Sequence, residues 1–160
     1  MIAIISDIHD NLANLKKALN FCKEKNITAL ICCGDVTNNE TLKYLSENFN
    51  NQIYLTEGNM ELYDELEKYN NIKFFNRKGG IFEYDNKKIG ICHEPYLIND
   101  LLKEKPDIIF YGHTHEPWEK TEGKTKIVNP GNISNTRHEP TFATYNPITN
   151  ELQLHLLDQM

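Results

Sequence analysis

The sequence predicts an α/β fold whose first half pairs its strands in parallel. Two observations support this: apolar runs alternate with stretches of helical periodicity up to about residue 70, and a series of short strand-like runs follows. Alternation of this kind is typical of βαβ units. A chain of 160 residues can bury an ordinary hydrophobic core, so we expect one domain over residues 1–160.

Three strand and helix pairs are predicted in the first half of the chain. Leu12, Leu15 and Leu19 recur at helical spacing after the first apolar run, and Asp10 is placed to cap that helix. The predicted pairs are residues 1–5 with 11–25, 28–33 with 40–49, and 52–56 with 61–69. Strands joined by helices in this way are expected to lie parallel in one sheet.

The second half is predicted to consist mainly of short strands. One helix over residues 96–103 interrupts them, and Asp85 and Asn86 are typical of a hairpin turn. The predicted strands cover residues 72–75, 81–84, 87–92, 108–111, 126–128, 141–145 and 152–156. His155 lies on the polar side of the last strand's alternation and is expected to face solvent.

Composition argues against several classes of protein. With 17 basic and 23 acidic side chains the net charge is −6, and the scattered lysines form no basic face for a long nucleic acid. No apolar run could span a membrane and no basic region of a signal peptide precedes the first strand, so a cytoplasmic protein is expected. The cysteines lack metal-binding or redox spacing and are expected to be buried free thiols: Cys22, Cys32, Cys33 and Cys92.

Side chains that can bind a metal follow five of the predicted strands. They occur in Asp7-x-His9, Gly34-Asp35, Gly58-Asn59, Cys92-His93 and Gly112-His113-x-His115. Because functional groups gather outside the carboxyl ends of strands in open α/β sheets, we expect these distant side chains to converge. The sequence therefore predicts a metal site at this edge of the sheet.

This series of motifs resembles that of the calcineurin-like metallophosphoesterases, particularly their small single-domain phosphodiesterases. The five motifs stand in the family's order and Asn129-Pro130-Gly131 follows them, so the resemblance covers residues 1 to about 145. It implies a two-sheet β-sandwich flanked by helices in four layers, and the hydrolysis of phosphoesters at a binuclear metal centre. The implied cofactors are two divalent ions, and the implied substrate is a small phosphoester.

The resemblance also implies which residues bind each ion. One ion would be held by Asp7, His9, Asp35 and His115, and the other by Asp35, Asn59, His93 and His113. Asp35 would then bridge the two ions, and a metal-bridging hydroxide would attack phosphorus in line. Asp35, Asn59 and His9 are the expected catalytic residues. Mixed imidazole and carboxylate ligands suit manganese, our first choice, or nickel, iron, cobalt or zinc.

Three further residues bear on the substrate. Met60 stands where the family's best-known phosphatases have a histidine, so the donor of a leaving-group proton is open and phosphodiesters are favoured. Glu94 replaces the usual glycine after His93, which would set a carboxylate beside the metals and repel highly charged phosphates. Arg137 could bind a substrate phosphate through two hydrogen bonds.

The sequence leaves three hypotheses open. The first is a phosphodiesterase, and the second is a phosphomonoesterase that takes its leaving-group proton from water or His9. The third is an interaction scaffold, because the retromer subunit that resembles these enzymes mainly binds partners, although every metal position here holds a competent residue. Exposed strand edges would also permit a homo-oligomer. Tyr96, Tyr111 and Trp118 could line a surface for a base or aryl group, and none is assigned to one.

Overall fold

Eleven strands and three α-helices form the regular structure in the computed structural model, which describes residues 1–160. In chain order they are β1 (Ile2–Ile5), α1 (Leu12–Glu24), β2 (Ala29–Cys32), α2 (Asn39–Asn48), β3 (Gln52–Thr56), β4 (Ile72–Phe75), β5 (Gly80–Tyr84), β6 (Lys87–Ile91), α3 (Ile98–Leu102), β7 (Ile108–Phe110), β8 (Trp118–Glu122), β9 (Thr125–Asn129), β10 (Thr141–Asn146) and β11 (Glu151–Leu156). Most of the predicted elements are present within a few residues of their expected bounds.

The strands form two sheets. The first has the order β11-β10-β1-β2-β3-β4, and the second has the order β5-β6-β7-β9-β8. Strands β1 to β4 pair in parallel, as the βαβ pattern predicts, and β6, β7 and β9 are parallel in the second sheet. In both sheets the carboxyl ends of the parallel strands lead into the loops that carry the predicted metal ligands.

Helices cover the outer faces of both sheets. Leu15 and Leu19 of α1 and Leu42 of α2 pack against the first sheet, and Leu101 of α3 packs against the second. A further apolar cluster fills the space between the sheets. Each fully buried leucine or isoleucine stabilises such a core by roughly 1.5–3 kcal/mol. The predicted two-sheet sandwich flanked by helices is confirmed, whereas one domain over residues 1–160 stays a prediction.

The prediction of a helix over residues 61–69 is wrong. Only a short 3-10 turn over Leu66–Lys68 forms there. The carboxylate of Glu61 accepts hydrogen bonds from backbone N–H groups of the neighbouring loops, and Leu62 N donates to Thr37 O. These tertiary hydrogen bonds hold the start of the segment in a conformation that does not continue as a helix.

Three smaller expectations also differ from the structure. Asn11, rather than Asp10, caps α1 by accepting a hydrogen bond from Asn14 N, while Asp10 accepts one from Thr41 Oγ1. Strand β8 was not expected, because all of its residues are exposed and it shows no alternation. His155 is half-buried rather than solvated: its ring stacks on Phe142 and its Nε2 lies 2.8 Å from Thr144 Oγ1.

The four cysteines are buried free thiols, as expected. Burial raises the pKa of Cys22 and of Cys92 to about 12, and it also raises the pKa of Cys32 and Cys33. The predicted hairpin turn is present, since Asp85 and Asn86 have φ values of 47° and 61° between paired strands. None of the helices is both long and apolar enough to cross a membrane.

Candidate metal centre

All seven predicted metal ligands lie in loops at the carboxyl ends of strands. The first sheet supplies those that follow β1, β2 and β3, and the second sheet supplies those that follow β6 and β7. In order along the chain they are Asp7, His9, Asp35, Asn59, His93, His113 and His115. The convergence expected from the sequence is observed, and the site joins the two sheets.

The loops reach this arrangement through a strained backbone. Asp7, His9, Asp35, His113 and His115 have φ values between 43° and 72°, a region that costs non-glycine residues of order 1–3 kcal/mol each. Hydrogen bonds between loops hold this conformation, since the backbone N–H groups of Ile8 and His9 both donate to Asp35 O. Gly58 is required for close approach, because a Cβ there would collide with the Asp35 carboxylate.

Three of the ligands form a cluster that we call the Asp7 half-site: Asp7, His9 and His115. Asp7 Oδ1 lies 3.2 Å from His115 Nε2 and 3.8 Å from His9 Nε2, and the two Nε2 atoms are 3.3 Å apart. A metal about 2.1 Å from each ligand places neighbouring ligand atoms about 3.4 Å apart in a tetrahedral shell and about 3.0 Å apart in an octahedral one. Asp7 Oδ1 is buried and has no hydrogen-bond partner, so these atoms fit a divalent ion.

Three others form a second cluster, the Asn59 half-site: Asn59, His93 and His113. Asn59 Oδ1 lies 2.8 Å from His93 Nε2 and 2.9 Å from His113 Nδ1, and these two nitrogens are 3.3 Å apart. The spacing again matches that of atoms around one ion. The ligands here are neutral when the imidazoles are unprotonated, which distinguishes this half-site from the first.

Asp35 lies between the two half-sites. Its Oδ2 is 3.5 Å from His9 Nε2 and 3.4 Å from His93 Nε2, while its Oδ1 accepts a hydrogen bond of 2.9 Å from Met60 N. One oxygen therefore faces a histidine of each half-site. This is the position that a bridging carboxylate requires.

Hydrogen-bond partners outside the centre determine which nitrogen of His93 and of His115 faces it. His93 Nδ1 lies 2.7 Å from Cys33 O, so in the neutral ring Nδ1–H donates there and Nε2 keeps its lone pair for an ion. His115 Nδ1 lies 2.9 Å from Thr136 Oγ1, and Asn132 Nδ2 donates to His115 O. The sequence analysis did not identify Thr136 or Asn132, because nothing in their spacing marks them as partners of a residue after β7.

Ionisation of the site reflects competition between burial and charge. Burial opposes the charged form of Asp35, but the nearby His93 and the Met60 N–H outweigh it, so the pKa of Asp35 is lowered. Burial likewise opposes the charged form of His93, but Asp35 and Asp7 outweigh it and raise the His93 pKa. The adjacent Asp7 carboxylate raises the pKa of His115. Without metal, carboxylate and imidazolium forms favour each other here.

Glu61 is a residue of the site that the sequence analysis missed. Its partly buried carboxylate accepts hydrogen bonds from the backbone N–H groups of Val36, Thr37 and Gly58, at 3.3, 2.9 and 3.0 Å. Burial raises the pKa of Glu61, although these hydrogen bonds oppose the shift. Glu61 thus joins the loop that carries Asp35 to the loop that carries Asn59.

A cavity of about 420 Å³ opens over the two half-sites. Besides five of the predicted metal ligands it is lined by Met60, Thr136 and Arg137. Arg137 is therefore within reach of a substrate bound at the half-sites. Met60 is 53% exposed.

Glu94 is not a free carboxylate beside the metals. Arg77 donates two hydrogen bonds to it, of 3.1 and 2.9 Å, and lowers its pKa. The expectation that Glu94 repels charged phosphates is therefore wrong.

Comparison with known proteins identifies the family. The model of the calcineurin-like phosphoesterase superfamily domain matches residues 1–149. The chain belongs to this superfamily. A phosphodiesterase of Methanocaldococcus jannaschii is 30% identical over 138 residues, covering 81% of this chain and 82% of its own length. A probable metallophosphoesterase of the same archaeon is 31% identical over 142 residues, covering 82% of this chain and 67% of its own.

Solved structures agree with this assignment. One described as a novel archaeal phosphodiesterase has a TM-score of 0.85 at 27% identity and covers 97% of this chain and 98% of its own. The vacuolar protein sorting 29 structure from Cryptosporidium parvum has a TM-score of 0.69 at 17% identity, covering 97% and 95%, and supports the fold alone. The predicted family and fold are confirmed, and with them the expectation of a metallophosphoesterase.

Proposed function

We propose that the chain is a binuclear metal-dependent phosphodiesterase. The observation that carries the proposal is Asp35 Oδ2, which lies within 3.5 Å of one histidine from each half-site. Two sets of metal-binding atoms that share a carboxylate between them are suited to a pair of ions. The similarity to an archaeal phosphodiesterase supports the same reaction class.

The residues present determine how such a centre would treat a phosphoester. When bound, two divalent ions supply an activated water and positive charge for an in-line displacement at phosphorus. Asp7 and Asp35 are the only carboxylates among the seven ligands, so they neutralise about half of the charge of two divalent ions. Asn59 adds none, and the remaining positive charge favours binding of an anionic ester. The mixed imidazole and carboxylate donors favour manganese, with nickel, iron, cobalt and zinc as alternatives.

Residues around the cavity favour a diester over a monoester. Met60 lies beside the cavity and cannot donate a proton, so a strongly basic leaving group receives no help from that position. His9 has a partly exposed ring whose Nε2 faces both Asp7 and Asp35, but Nε2 is the atom placed to bind an ion, so only its Nδ1 could carry a proton. Arg137 lines the same cavity, and we assign it to binding a non-bridging phosphate oxygen.

The test is hydrolysis of bis(p-nitrophenyl) phosphate beside p-nitrophenyl phosphate. Protein stripped with a chelator is restored with manganese, nickel, zinc or magnesium, one at a time. We expect metal-dependent cleavage in which kcat/KM for the diester exceeds that for the monoester. Faster cleavage of the monoester would instead identify a phosphomonoesterase, and no turnover with two ions bound per chain would favour a scaffold.

A further inference from the structure

Arg77, Glu94 and Tyr96 form a connected group of side chains that the metal centre does not use. Arg77 Nε and Nη2 donate to the two oxygens of Glu94, and Tyr96 OH donates to Glu94 Oε2 at 3.0 Å. Glu94 is nine-tenths buried, whereas the Arg77 side chain is 54% exposed and Tyr96 is 67% exposed. One buried carboxylate therefore holds two planar groups in fixed positions at the surface.

This group lies next to the Asn59 half-site. Glu94 directly follows the ligand His93, so their Cα atoms are about 3.8 Å apart. Arg77 N donates a hydrogen bond of 2.9 Å to Glu57 Oε2, and Glu57 precedes the ligand Asn59 by two residues. The three residues therefore adjoin, along the chain and through this backbone hydrogen bond, the loops that carry His93 and Asn59.

The charges around Arg77 determine what it can bind. Glu94 and Glu57 both contact Arg77, so the immediate surroundings carry no excess of positive charge and do not favour a second phosphate. A guanidinium paired through its edge still presents its flat faces, which stack on aromatic rings and bases. The phenol ring of Tyr96 offers a second flat face, and its hydroxyl is already bound to Glu94.

We infer that Arg77 and Tyr96 form a subsite for a planar aromatic group, such as a nucleobase, on a phosphoester bound at the metals. This inference rests on the proposed function and narrows its substrate class to aryl or nucleoside phosphodiesters. Two rigid planar groups held in place lose little freedom on binding, which favours stacking. Stacking of a base on an aromatic side chain strengthens binding by about tenfold.

The experiment compares two ligands that share a phosphate and differ in the base. Adenosine 5′-monophosphate and ribose 5-phosphate are titrated by calorimetry into manganese-loaded protein. We expect the nucleotide to bind about tenfold more tightly. Tyr96→Ala and Arg77→Ala should each bring the two affinities to within about twofold, by weakening nucleotide binding only, while Tyr96→Phe should keep most of the preference.

Lys78→Ala is the matched control, because Lys78 is an exposed cation in the same loop whose side chain makes no contact with Glu94. It should leave both affinities unchanged. Equal affinities for the two ligands in the unaltered protein, or a preference that survives both alanine substitutions, would overturn the inference. A preference without any metal-dependent diester cleavage would leave the subsite standing and contradict the proposed function, and cleavage without a preference would do the reverse.

Discussion

The two half-sites use the same imidazole chemistry but differ in charge and in support. The Asp7 half-site contains a buried carboxylate, and its His115 is positioned by the hydroxyl of Thr136. The Asn59 half-site has a neutral amide in place of that carboxylate, and its His93 is positioned by the backbone carbonyl of Cys33. His115 is thus held by a side-chain hydroxyl at 2.9 Å and a more distant carbonyl at 3.3 Å, whereas His93 is held by a backbone carbonyl of the buried core at 2.7 Å.

This difference predicts that the two half-sites differ in metal affinity and in how far a single substitution can weaken metal binding. A carboxylate ligand attracts a divalent ion more strongly than an amide does, so we expect the Asp7 half-site to fill first. One substitution at Thr136 can remove its hydroxyl from His115 Nδ1 but not the Thr136 carbonyl 3.3 Å away, and no side-chain change removes the carbonyl of Cys33 from His93. The two ions should therefore respond differently to mutation.

The largest effect is expected from Asp35→Asn, which removes the charge that the half-sites share. Manganese affinity should fall by more than about 100-fold at both sites, since an amide has no negative charge and does not bridge two ions as a carboxylate does, which costs more than the 10–100-fold loss of a supporting partner, and diester hydrolysis should be lost. Calorimetry with manganese measures this directly. Asp10→Asn is the control, because Asp10 has a similar backbone conformation nearby and bonds Thr41 instead. Activity retained in Asp35→Asn would refute the bridging role.

Thr136→Val should weaken only one of the two sites. The substitution keeps the shape of the side chain but removes the hydroxyl beside His115 Nδ1. We expect this to cost about tenfold in manganese affinity at the Asp7 half-site, the low end of the range for a supporting partner, because Thr136 O remains 3.3 Å from the same nitrogen. A two-step titration should show the second site unchanged. Thr149→Val, at an exposed threonine away from the centre, provides the control. An equal loss at both sites would show that the half-sites are not independent.

Asn59→Asp should reverse the difference in charge between the half-sites. An added carboxylate should tighten manganese binding at the Asn59 half-site by about tenfold, because ligand charge tunes affinity. It should also raise KM for a diester several-fold, because less positive charge remains for the phosphate. Asn26→Asp adds the same charge at an exposed position far along the chain and should change neither value. An unchanged KM would contradict the idea that the neutral side chain of Asn59 keeps the site positive enough to bind the phosphate.

The smallest predicted effect is the change in thermal stability with pH, which has opposite signs in the metal-free and the metal-loaded protein. The raised pKa values of His93 and His115 stabilise the metal-free fold below the ordinary histidine pKa of about 6.5, and this contribution is lost as pH rises. The lowered pKa of Asp35 contributes above about pH 4 and is lost on acidification. Metal binding requires unprotonated imidazoles, so it strengthens as pH rises.

Thermal unfolding between pH 6 and pH 8 measures this contrast. The midpoint of the metal-free protein should fall over that range, and the midpoint of the manganese-loaded protein should rise. Parallel changes in both forms would show that the histidines of the centre do not control the pH dependence.

The ligands of the centre could be predicted from the sequence because each follows an apolar strand that ends abruptly. Asp7 and Asp35 come directly after fully buried runs, so their place at the sheet edge follows from the strand pattern. Parallel pairing then brings distant ligands together. The grouping into two half-sites came from the family resemblance, and the metal assignments themselves stay predictions.

The elements and residues that were missed depend on contacts between distant segments. The helix predicted over residues 61–69 fails because Glu61 binds backbone N–H groups of two loops, a contact that periodicity does not report. Strand β8 is exposed throughout and shows no apolar pattern. Glu94 was expected to act as a free charge because its partner Arg77 lies 17 residues earlier in the sequence.

The burial of all four thiols has a practical consequence for these measurements. Because Cys22, Cys32, Cys33 and Cys92 are buried and their ionised forms are disfavoured, they react slowly with oxygen and do not compete for added metal. Titrations can therefore be run in air without dithiothreitol or mercaptoethanol. Those reductants chelate zinc and nickel, and leaving them out allows the affinities of the two half-sites to be compared directly.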